Sequence, residues 1–248
     1  MSKNIVIIPT YNEKENIEIM IKKVFSLSPS FDILVVDDNS PDGTAEIVKK
    51  MQAEHTGRLH LEQRKGKMGL GTAYLHGFKV ALSLGADYIF EMDCDFSHNP
   101  DDLLRLLDEA KNGADLVVGS RYVVGINVIN WPLSRVLMSY GASKYVRAIL
   151  RMPVKDPTAG FICYKREVLE AINLDNIKLK GYGFQIEMKY TAWKLGFSVK
   201  EVSIIFTDRT RGTSKMTGGI FNEAFWGVIG LRFRKIKPAN TTNKLTIN

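Results

Sequence analysis

Residues 88–100 read YIFEMDCDFSHNP, and they show how the chain combines a buried segment with acidic chemistry. An apolar segment typical of a buried strand runs directly into Asp93 and Asp95, which are separated by one residue. Pro100 then begins a predicted helix, with Asn99 as its N-cap. Carboxylates at the end of a buried strand suit a divalent cation, especially one also held by phosphate oxygens. The same pattern occurs in solvated turns and helix caps, so the rest of the chain must decide its meaning.

Strand and helix patterns alternate on both sides of this stretch. Strands are predicted at residues 5–8, 33–36, 59–63, 88–92, 116–118, 161–164 and 199–206. The intervening segments carry apolar residues at helical spacing, and further helices are predicted at residues 133–150, 184–195 and 220–233. This alternation with short connections predicts an α/β fold with a mostly parallel central sheet and flanking helices.

Composition limits the domain count and the class of protein. The 248 residues are 45% hydrophobic and 25% charged, which predicts a single domain, placed at residues 1–237. This domain ends with a predicted amphipathic helix at about 220–233, and the polar tail at 238–248 is predicted to be disordered. Two cysteines exclude a disulfide framework and favour a reduced, cytosol-facing location. No apolar run approaches the ~20 residues of a bilayer span. The net charge of +7 favours anionic partners.

Acidic residues follow three of the predicted strands. Glu13 follows the first, Asp37 and Asp38 end the second, and Asp93 and Asp95 follow the fourth. The ends of parallel strands meet at one edge of a sheet, where open α/β sheets bind ligands. We expect Asp38 to accept hydrogen bonds from a base or ribose and Tyr11 to border the base. Asp37 either joins this site or orients a neighbouring loop, and Asp42 is interpreted as a turn or helix cap.

A dinucleotide-dependent oxidoreductase has a similar strand and helix pattern, but the first turn argues against it. That fingerprint requires Gly-x-Gly-x-x-Gly after the first strand, whereas residues 9–13 here read PTYNE. The glycines at 66, 69 and 71 follow the third strand instead.

His98 is interpreted as a packing residue at the start of a helix.

Basic residues can balance the charge of a diphosphate leaving group and an anionic acceptor. Three groups are candidates for this role, and each single member can equally be a solvated surface charge. They are Arg64, Lys65 and Lys67; Arg121; and Arg209, Arg211 and Lys215. The last group surrounds Gly212, Thr213 and Ser214, which favours a mobile lid.

Seven stretches together resemble the family 2 glycosyltransferases of the GT-A fold, and within them the dolichol-phosphate (polyprenol-phosphate) mannose synthases. The stretches are PTYNE at 9–13, VVDDNSPDGT at 35–44, GLGTAY at 69–74, DCDFSH at 93–98, GSRY at 119–122, DPTAGF at 156–161, and DR at 208–209 with SK at 214–215. They span nearly the whole chain to about residue 233.

The resemblance implies roles for specific residues. The guanosine site would be lined by Pro9, Tyr11, Glu13, Val36 and Asp38. Asp93, Cys94 and Asp95 would lie at the diphosphate, with Asp93 and Asp95 as ligands of Mg²⁺ or Mn²⁺. Arg121, Arg209 and Lys215 would contact phosphates of donor or acceptor, and Asp93, Asp95, Arg121 and Arg209 form the expected catalytic set. Ser97 departs from a pattern in which some members have Gln, which leaves a third metal ligand open.

The resemblance also implies a reaction, the transfer of mannose from GDP-mannose to a polyprenyl (dolichyl-type) phosphate with inversion. An anionic lipid phosphate needs no general base, which agrees with a site rich in cations. The acceptor requires a peripheral position on the cytoplasmic face of a membrane. The helices at 133–151 and 220–233 are candidates for lying at its surface, with core packing as the alternative for both, and a small membrane-anchoring subunit is a further candidate partner. Alternatives are transfer from UDP-glucose or UDP-N-acetylglucosamine, or a non-catalytic nucleotide- or lipid-binding adaptor. No base-reading motif supports a nucleic-acid partner.

Overall fold

The computed structural model describes residues 2–208 and 219–239. Its strands are β1 (Asn4–Thr10), β2 (Asp32–Asp37), β3 (Leu59–Gln63), β4 (Tyr88–Glu91), β5 (Leu116–Ser120), β6 (Val128–Ile129), β7 (Ile162–Lys165), β8 (Val199–Ser203) and β9 (Phe206–Thr207). Its α-helices are α1 (Ile17–Phe25), α2 (Thr44–Gln52), α3 (Leu70–Ser83), α4 (Asp102–Lys111), α5 (Leu133–Leu150), α6 (Arg166–Ala171), α7 (Gly181–Lys194) and α8 (Gly219–Phe233).

A seven-stranded sheet with the order β3-β2-β1-β4-β7-β5-β8 forms the centre of the molecule. The first four strands along the chain pair in parallel, because each is followed by a helix that crosses back over the sheet. The β1 side chains from Ile5 to Ile8 are fully buried, with apolar clusters on both faces of the sheet. Continuous apolar runs are typical of such doubly covered strands. The predicted mostly parallel α/β fold is confirmed.

Two features of the sheet differ from the sequence prediction. Strand β7 is inserted antiparallel between β4 and β5, although residues 161–164 carried no signal of direction. The single strand predicted at 199–206 is wrong, because β8 pairs with β5 whereas β9 pairs with β6 in a separate two-stranded sheet. The chain changes partner where Ile204 N–H donates to Ser120 O and Phe206 N–H donates to Asn127 O.

Helices α5, α7 and α8 form a third apolar cluster beside the sheet, with Val146, Tyr190, Val228 and Leu231 among its buried members. Core packing is therefore confirmed for one face of each of the two helices, which also expose large apolar side chains elsewhere, whereas their membrane contact stays a prediction. Among the described helices, none is both long and apolar enough to cross a bilayer. Most of the predicted tail at 238–248 lies outside the described residues, and Ala239 N–H donates to Ala171 O.

Candidate active site

The carboxyl ends of β2, β1 and β4 lie side by side at one edge of the sheet. Thr10 is in register with Asp37, and Met92 N–H donates to Ile7 O on the other side of β1. Asp38 and Asp93 therefore flank the end of β1, about 10 Å apart by two strand spacings. Both carboxylates also reach the start of α3, since Met68 N–H donates to Asp38 and the Tyr74 hydroxyl lies 3.5 Å from Asp93 Oδ1. Asp38 and Asp93 thus lie at one edge of the sheet, as the sequence predicted, while their role as a ligand site stays a prediction.

Asp37 and Asp42 organise the turn between β2 and α2. Asp37 is fully buried and accepts hydrogen bonds from the Thr10 hydroxyl at 2.8 Å and from the Ser40 N–H and hydroxyl at 2.9 and 2.6 Å. These bonds match the loop-orienting alternative for Asp37. Asp42 accepts from the Thr44 N–H and hydroxyl and from Lys14 N–H, as expected for a turn residue. Burial raises the pKa of Asp42, but these hydrogen bonds outweigh it and lower the pKa below the ordinary value.

Asp38 connects β2 to the basic, glycine-rich loop at residues 64–69. Its carboxylate lies 2.5 Å from the Arg64 guanidinium, and both side chains are 8% exposed. Arg64 also donates to the Thr72 hydroxyl at 2.8 Å, and Lys67 Nζ lies 5.1 Å from the centre of the Tyr11 ring. Arg64 is thereby an ion-pair partner of Asp38, while Lys67 and Tyr11 bring the loop over the end of β1.

The loop from Asp93 to Ser97 has a constrained backbone. Phe96 adopts φ +60°, a left-handed conformation that non-glycine residues seldom occupy and that often marks a functional loop. Asp95 Oδ1 accepts from Ser97 N–H at 3.1 Å. Cys94 is buried, so its side chain contributes packing. His98 stacks on Phe161 with ring centres 4.9 Å apart, which confirms its packing role, and burial lowers its pKa to about 4.

The donor atoms at this loop suit a hard divalent cation. Asp93 and Asp95 are only partly buried, and Ser97 Oγ is a buried atom for which the described residues supply no hydrogen-bond partner. All three groups are oxygen donors, the type that Mg²⁺ and Mn²⁺ prefer. No cluster of three His, Cys, Asp or Glu side chains suited to a metal occurs in residues 2–208 and 219–239. A cation held here would share its coordination with phosphate oxygens and water, as Mg²⁺ commonly does.

Arg121 lies in a buried ion pair that faces a cluster of aromatic rings. Its guanidinium donates to the two carboxylate oxygens of Asp156 at 2.7 and 2.6 Å and to the Thr158 hydroxyl at 2.8 Å. Burial raises the pKa of Asp156, but the charge and hydrogen bonds of Arg121 outweigh this effect and lower it. Burial lowers the pKa of Arg121, and the charge of Asp156 reverses that effect and raises it. A phosphate contact by Arg121 would therefore occur beside Asp156.

Arg135 is a candidate site residue that sequence reasoning placed only on a basic helix. Its guanidinium lies 4.0 Å from the centre of the Trp131 ring, and Arg121 lies 5.6 Å from the same ring. Arg135 also pairs with Asp208 at 2.8 Å, directly before the segment that carries Arg209 and Lys215. Arg209 and Lys215 lie outside the described residues. The Trp131-Pro132 pair at the start of α5 was the sequence signal for this cluster.

The remaining predicted site residues differ in accessibility. Pro9, Tyr11 and Glu13 are partly buried at the end of β1. Val36 is fully buried in the core, where a Cβ added at Gly77 of α3 would lie 3.4 Å from it. Any contact between Val36 and a nucleotide would therefore involve its main chain. The nucleotide-facing roles of these residues stay predictions.

A buried polar network next to β4 was not anticipated from the sequence. Glu91 accepts from the Tyr164 hydroxyl at 2.8 Å and from the Gln185 amide, and Lys189 Nζ donates to Ala159 O at 2.6 Å. Burial raises the pKa of Glu91 to about 7. The polar letters at positions 185 and 189 of an otherwise apolar stretch were the only sequence signal.

A comparison with protein families shows which family this chain belongs to. The model described as "Glycosyl transferase family 2" matches residues 5–172, which is more than half of the chain and includes every described acid discussed above except Asp208. The chain belongs to glycosyl transferase family 2. It is accordingly an enzyme of that family, and the predicted membership is confirmed.

Two relatives within the family are similar along almost their whole length. The chain is 46% identical over 233 residues to the polyprenol monophosphomannose synthase of Mycolicibacterium smegmatis, which covers 92% of this chain and 88% of the relative. It is 45% identical over 239 residues to the undecaprenyl-phosphate mannosyltransferase of Micrococcus luteus. This similarity covers 93% of this chain and 98% of the relative.

Solved structures support the fold. Glucosyl-3-phosphoglycerate synthase from Mycobacterium tuberculosis, in complex with Mn²⁺, uridine diphosphate and phosphoglyceric acid, superposes with a TM-score of 0.67. The similarity covers 94% of this chain and 79% of that chain at 18% identity. At this identity the similarity establishes the shared GT-A fold of a family 2 glycosyltransferase and nothing about substrates.

Proposed function

We propose that this chain transfers mannose from GDP-mannose to a polyprenyl phosphate, with inversion at the anomeric carbon. The strongest support is the 46% identity to a polyprenol monophosphomannose synthase across 92% of the chain. The convergence of Asp38, Asp93 and Asp95 at one sheet edge adds support, because a sugar nucleotide requires polar groups for its nucleoside and its diphosphate at neighbouring positions.

The donor would occupy the edge formed by β2, β1 and β4. The guanosine would lie near Tyr11, Glu13 and Asp38, where Arg64 and Lys67 hold the basic loop in place. The diphosphate would extend towards Asp93 and Asp95. A divalent cation, when bound there by Asp93, Asp95 and the Ser97 hydroxyl, would supply stabilisation of the charge on departing GDP.

The acceptor would approach from the side of Arg121 and Arg135. A phosphate oxygen of the lipid forms a bond to the anomeric carbon while the bond from that carbon to the diphosphate breaks, and its electron pair leaves with GDP. The attacking oxygen is already anionic near neutral pH, so no side chain has to accept a proton. The guanidinium groups of Arg121 and Arg135, both near the Trp131 ring, would orient the phosphate and balance its charge.

A lipid acceptor requires contact with a membrane, and exposed apolar side chains on α5 and α8 could supply it. Leu133 and Leu137 of α5 and Trp226 of α8 are 72%, 63% and 69% exposed. The two helices meet where Tyr145 stacks on Phe225 with ring centres 4.6 Å apart. We place the protein peripherally on the cytoplasmic face of the membrane, with a small membrane-anchoring subunit as a candidate partner there.

The donor is tested by calorimetric titration of the purified protein with GDP-mannose and with UDP-glucose, each with and without Mn²⁺. We expect heat of binding with GDP-mannose only, strengthened by Mn²⁺, and transfer of radiolabelled mannose to polyprenyl phosphate in detergent. Binding and turnover with UDP-glucose alone would overturn the mannose assignment.

The metal-binding role is tested with Asp93→Asn, which we expect to reduce transfer about a hundredfold or more. Asp101→Asn is the matched control, because Asp101 precedes α4 on the surface and pairs with Lys23. Transfer by Asp93→Asn at the wild-type rate would remove the role of this carboxylate, whatever the donor.

A further inference from the structure

A second cationic site lies on α5, next to the Arg121–Asp156 pair of the candidate active site. It is a cavity of about 160 Å³, which we call the cationic pocket. The pocket is lined by Tyr122, Tyr140, Ser143, Lys144, Arg147 and Lys155. Three of these six residues are cationic, and no carboxylate of the described residues is part of the lining. A cavity of this size is smaller than the ~300 Å³ of typical drug-sized ligand sites, but it exceeds the ~30 Å³ that a water molecule occupies.

The cations of the pocket have donor capacity that the protein does not use. Arg147 Nε is shielded from solvent, and it has no hydrogen-bond partner in the described part of the chain. Lys155 is held in place by donation from Nζ to Val123 O at 3.0 Å, and Lys144 Nζ lies 5.2 Å from the centre of the Tyr140 ring. The nearby carboxylate of Glu201 accepts from the backbone N–H groups of Lys155 and Asp156. A buried, unsatisfied guanidinium nitrogen is costly unless an anion completes its bonding.

The position of the pocket on α5 indicates where such an anion comes from. Leu133, Leu137, Tyr140, Lys144 and Arg147 follow one another at intervals of four and three residues, so they share one face of the helix. The face is apolar and exposed at its first two positions and cationic at its last two. Leu137 and Lys144 are about 10 Å apart along the helix axis, so the apolar and the cationic part of this face can contact one bilayer surface together.

We propose that the cationic pocket binds the headgroup phosphate of a bilayer phospholipid while Leu133 and Leu137 enter the acyl boundary. The proposed lipid differs from the acceptor, whose phosphate is assigned to Arg121 and Arg135. The pocket adjoins that site through Tyr122 and Lys155, but neither arginine is part of its lining. Binding would orient the side of the molecule that carries Arg121 and Arg135 towards the membrane. The inference rests on the proposed membrane contact for the source of the phosphate, and it is independent of the donor sugar.

The test compares Lys144→Gln/Arg147→Gln with Lys49→Gln/Lys50→Gln, which removes the same charge from exposed lysines of α2. Binding is measured by sedimentation with vesicles of phosphatidylcholine, with and without an equal part of phosphatidic acid. We expect the first variant to lose affinity for the mixed vesicles about tenfold or more, since each cation near an anionic surface strengthens membrane binding. The α2 variant keeps the wild-type affinity, and both keep the wild-type thermal unfolding midpoint.

A second measurement identifies the source of the phosphate. Glycerol phosphate, the soluble headgroup analogue, is expected to release wild-type protein from mixed vesicles while leaving the residual binding of the Lys144→Gln/Arg147→Gln variant unchanged. If the α2 variant lost as much vesicle affinity as the pocket variant, only the net charge would matter, and the cationic pocket would not be the binding site. If the pocket bound glycerol phosphate but the substitutions did not change vesicle binding, the ligand of the pocket would not be a bilayer phospholipid. GDP-mannose titration of both variants reports separately on the proposed function.

Discussion

Asp156 and Arg121 form an ion pair that is almost completely removed from solvent, at 0% and 8% side-chain exposure. We expect Asp156→Ala to lower the free energy of unfolding by about 3–5 kcal/mol, because it leaves a buried guanidinium without its partner. Urea denaturation followed by circular dichroism measures this change. The control Asp101→Asn alters a partly exposed pair and should change stability by less than about 0.5 kcal/mol. If Asp101→Asn lowered the free energy of unfolding as much as Asp156→Ala, burial of the ion pair would not be the cause of the loss.

Lys189 is a buried ammonium whose titration should affect stability at high pH. Burial lowers its pKa to about 8, although Glu91 and Asp156 raise it. Between pH 8 and 10.5 the unfolded chain therefore binds this proton while the folded protein has released it, so the free energy of unfolding rises with pH in that window. The stability that Lys189 contributes is complete above pH 10.5, and it is lost as the pH falls through about 8.

The comparison with Lys189→Met isolates this effect from other titrations. Across that window we expect wild-type protein to gain up to about 3 kcal/mol of stability relative to the variant. Chemical denaturation at closely spaced pH values measures the difference. Parallel stability profiles for the two proteins would mean that the buried ammonium has an ordinary pKa.

At the scale of elements, α3 packs against β1 closely enough to require a glycine. A Cβ built at Gly77 would lie 2.7 Å from Ile7 Cγ2, and Ile7 is fully buried in its strand. We expect Gly77→Ala to lower the free energy of unfolding by about 1–3 kcal/mol through overpacking, which outweighs the ~1 kcal/mol that alanine adds to a helix. Thermal and urea unfolding measure the loss.

Gly141 of α5 provides the matched control for this substitution. A Cβ at Gly141 meets no atom within 4 Å, so Gly141→Ala adds helix propensity without a clash. We expect it to stabilise the protein by up to about 1 kcal/mol. If both alanine variants shifted stability in the same direction, the close contact between α3 and β1 would not be the cause.

At the scale of the whole molecule, the proposed reaction joins a water-soluble donor to a membrane lipid. Leu137→Glu places a charge on the exposed face of α5 without disturbing the core. We expect its affinity for vesicles to fall about tenfold or more, because burying a leucine contributes about 1.5–3 kcal/mol, whereas GDP-mannose titration is unchanged. Vesicle sedimentation and transfer to membrane-embedded acceptor are the measurements.

Ile19→Glu is the control for general surface charge, since Ile19 is an exposed apolar residue of α1, which is not part of the α5–α8 face. This variant should bind vesicles as the wild type does. Loss of vesicle binding in both variants would argue against α5 as the contact surface.

The central strands and the acids at their ends were predictable because their signals are local. The apolar run at residues 5–8 and the Asp-x-Asp at residues 93–95 each contain their own evidence, and parallel strands necessarily bring their ends to one edge. The seven motifs were also sufficient for the family, since each lies within one short stretch of the sequence.

Only the tertiary structure decided which charges neutralise each other and which remain available. Asp38 pairs with Arg64 and Asp156 with Arg121, across 26 and 35 positions of the chain. The antiparallel direction of β7 and the burial of Lys189 beside Ala159 also depend on packing between segments that are distant in sequence. Local periodicity reports how one segment meets solvent, whereas ion pairs and cavities such as the cationic pocket exist only where several segments meet.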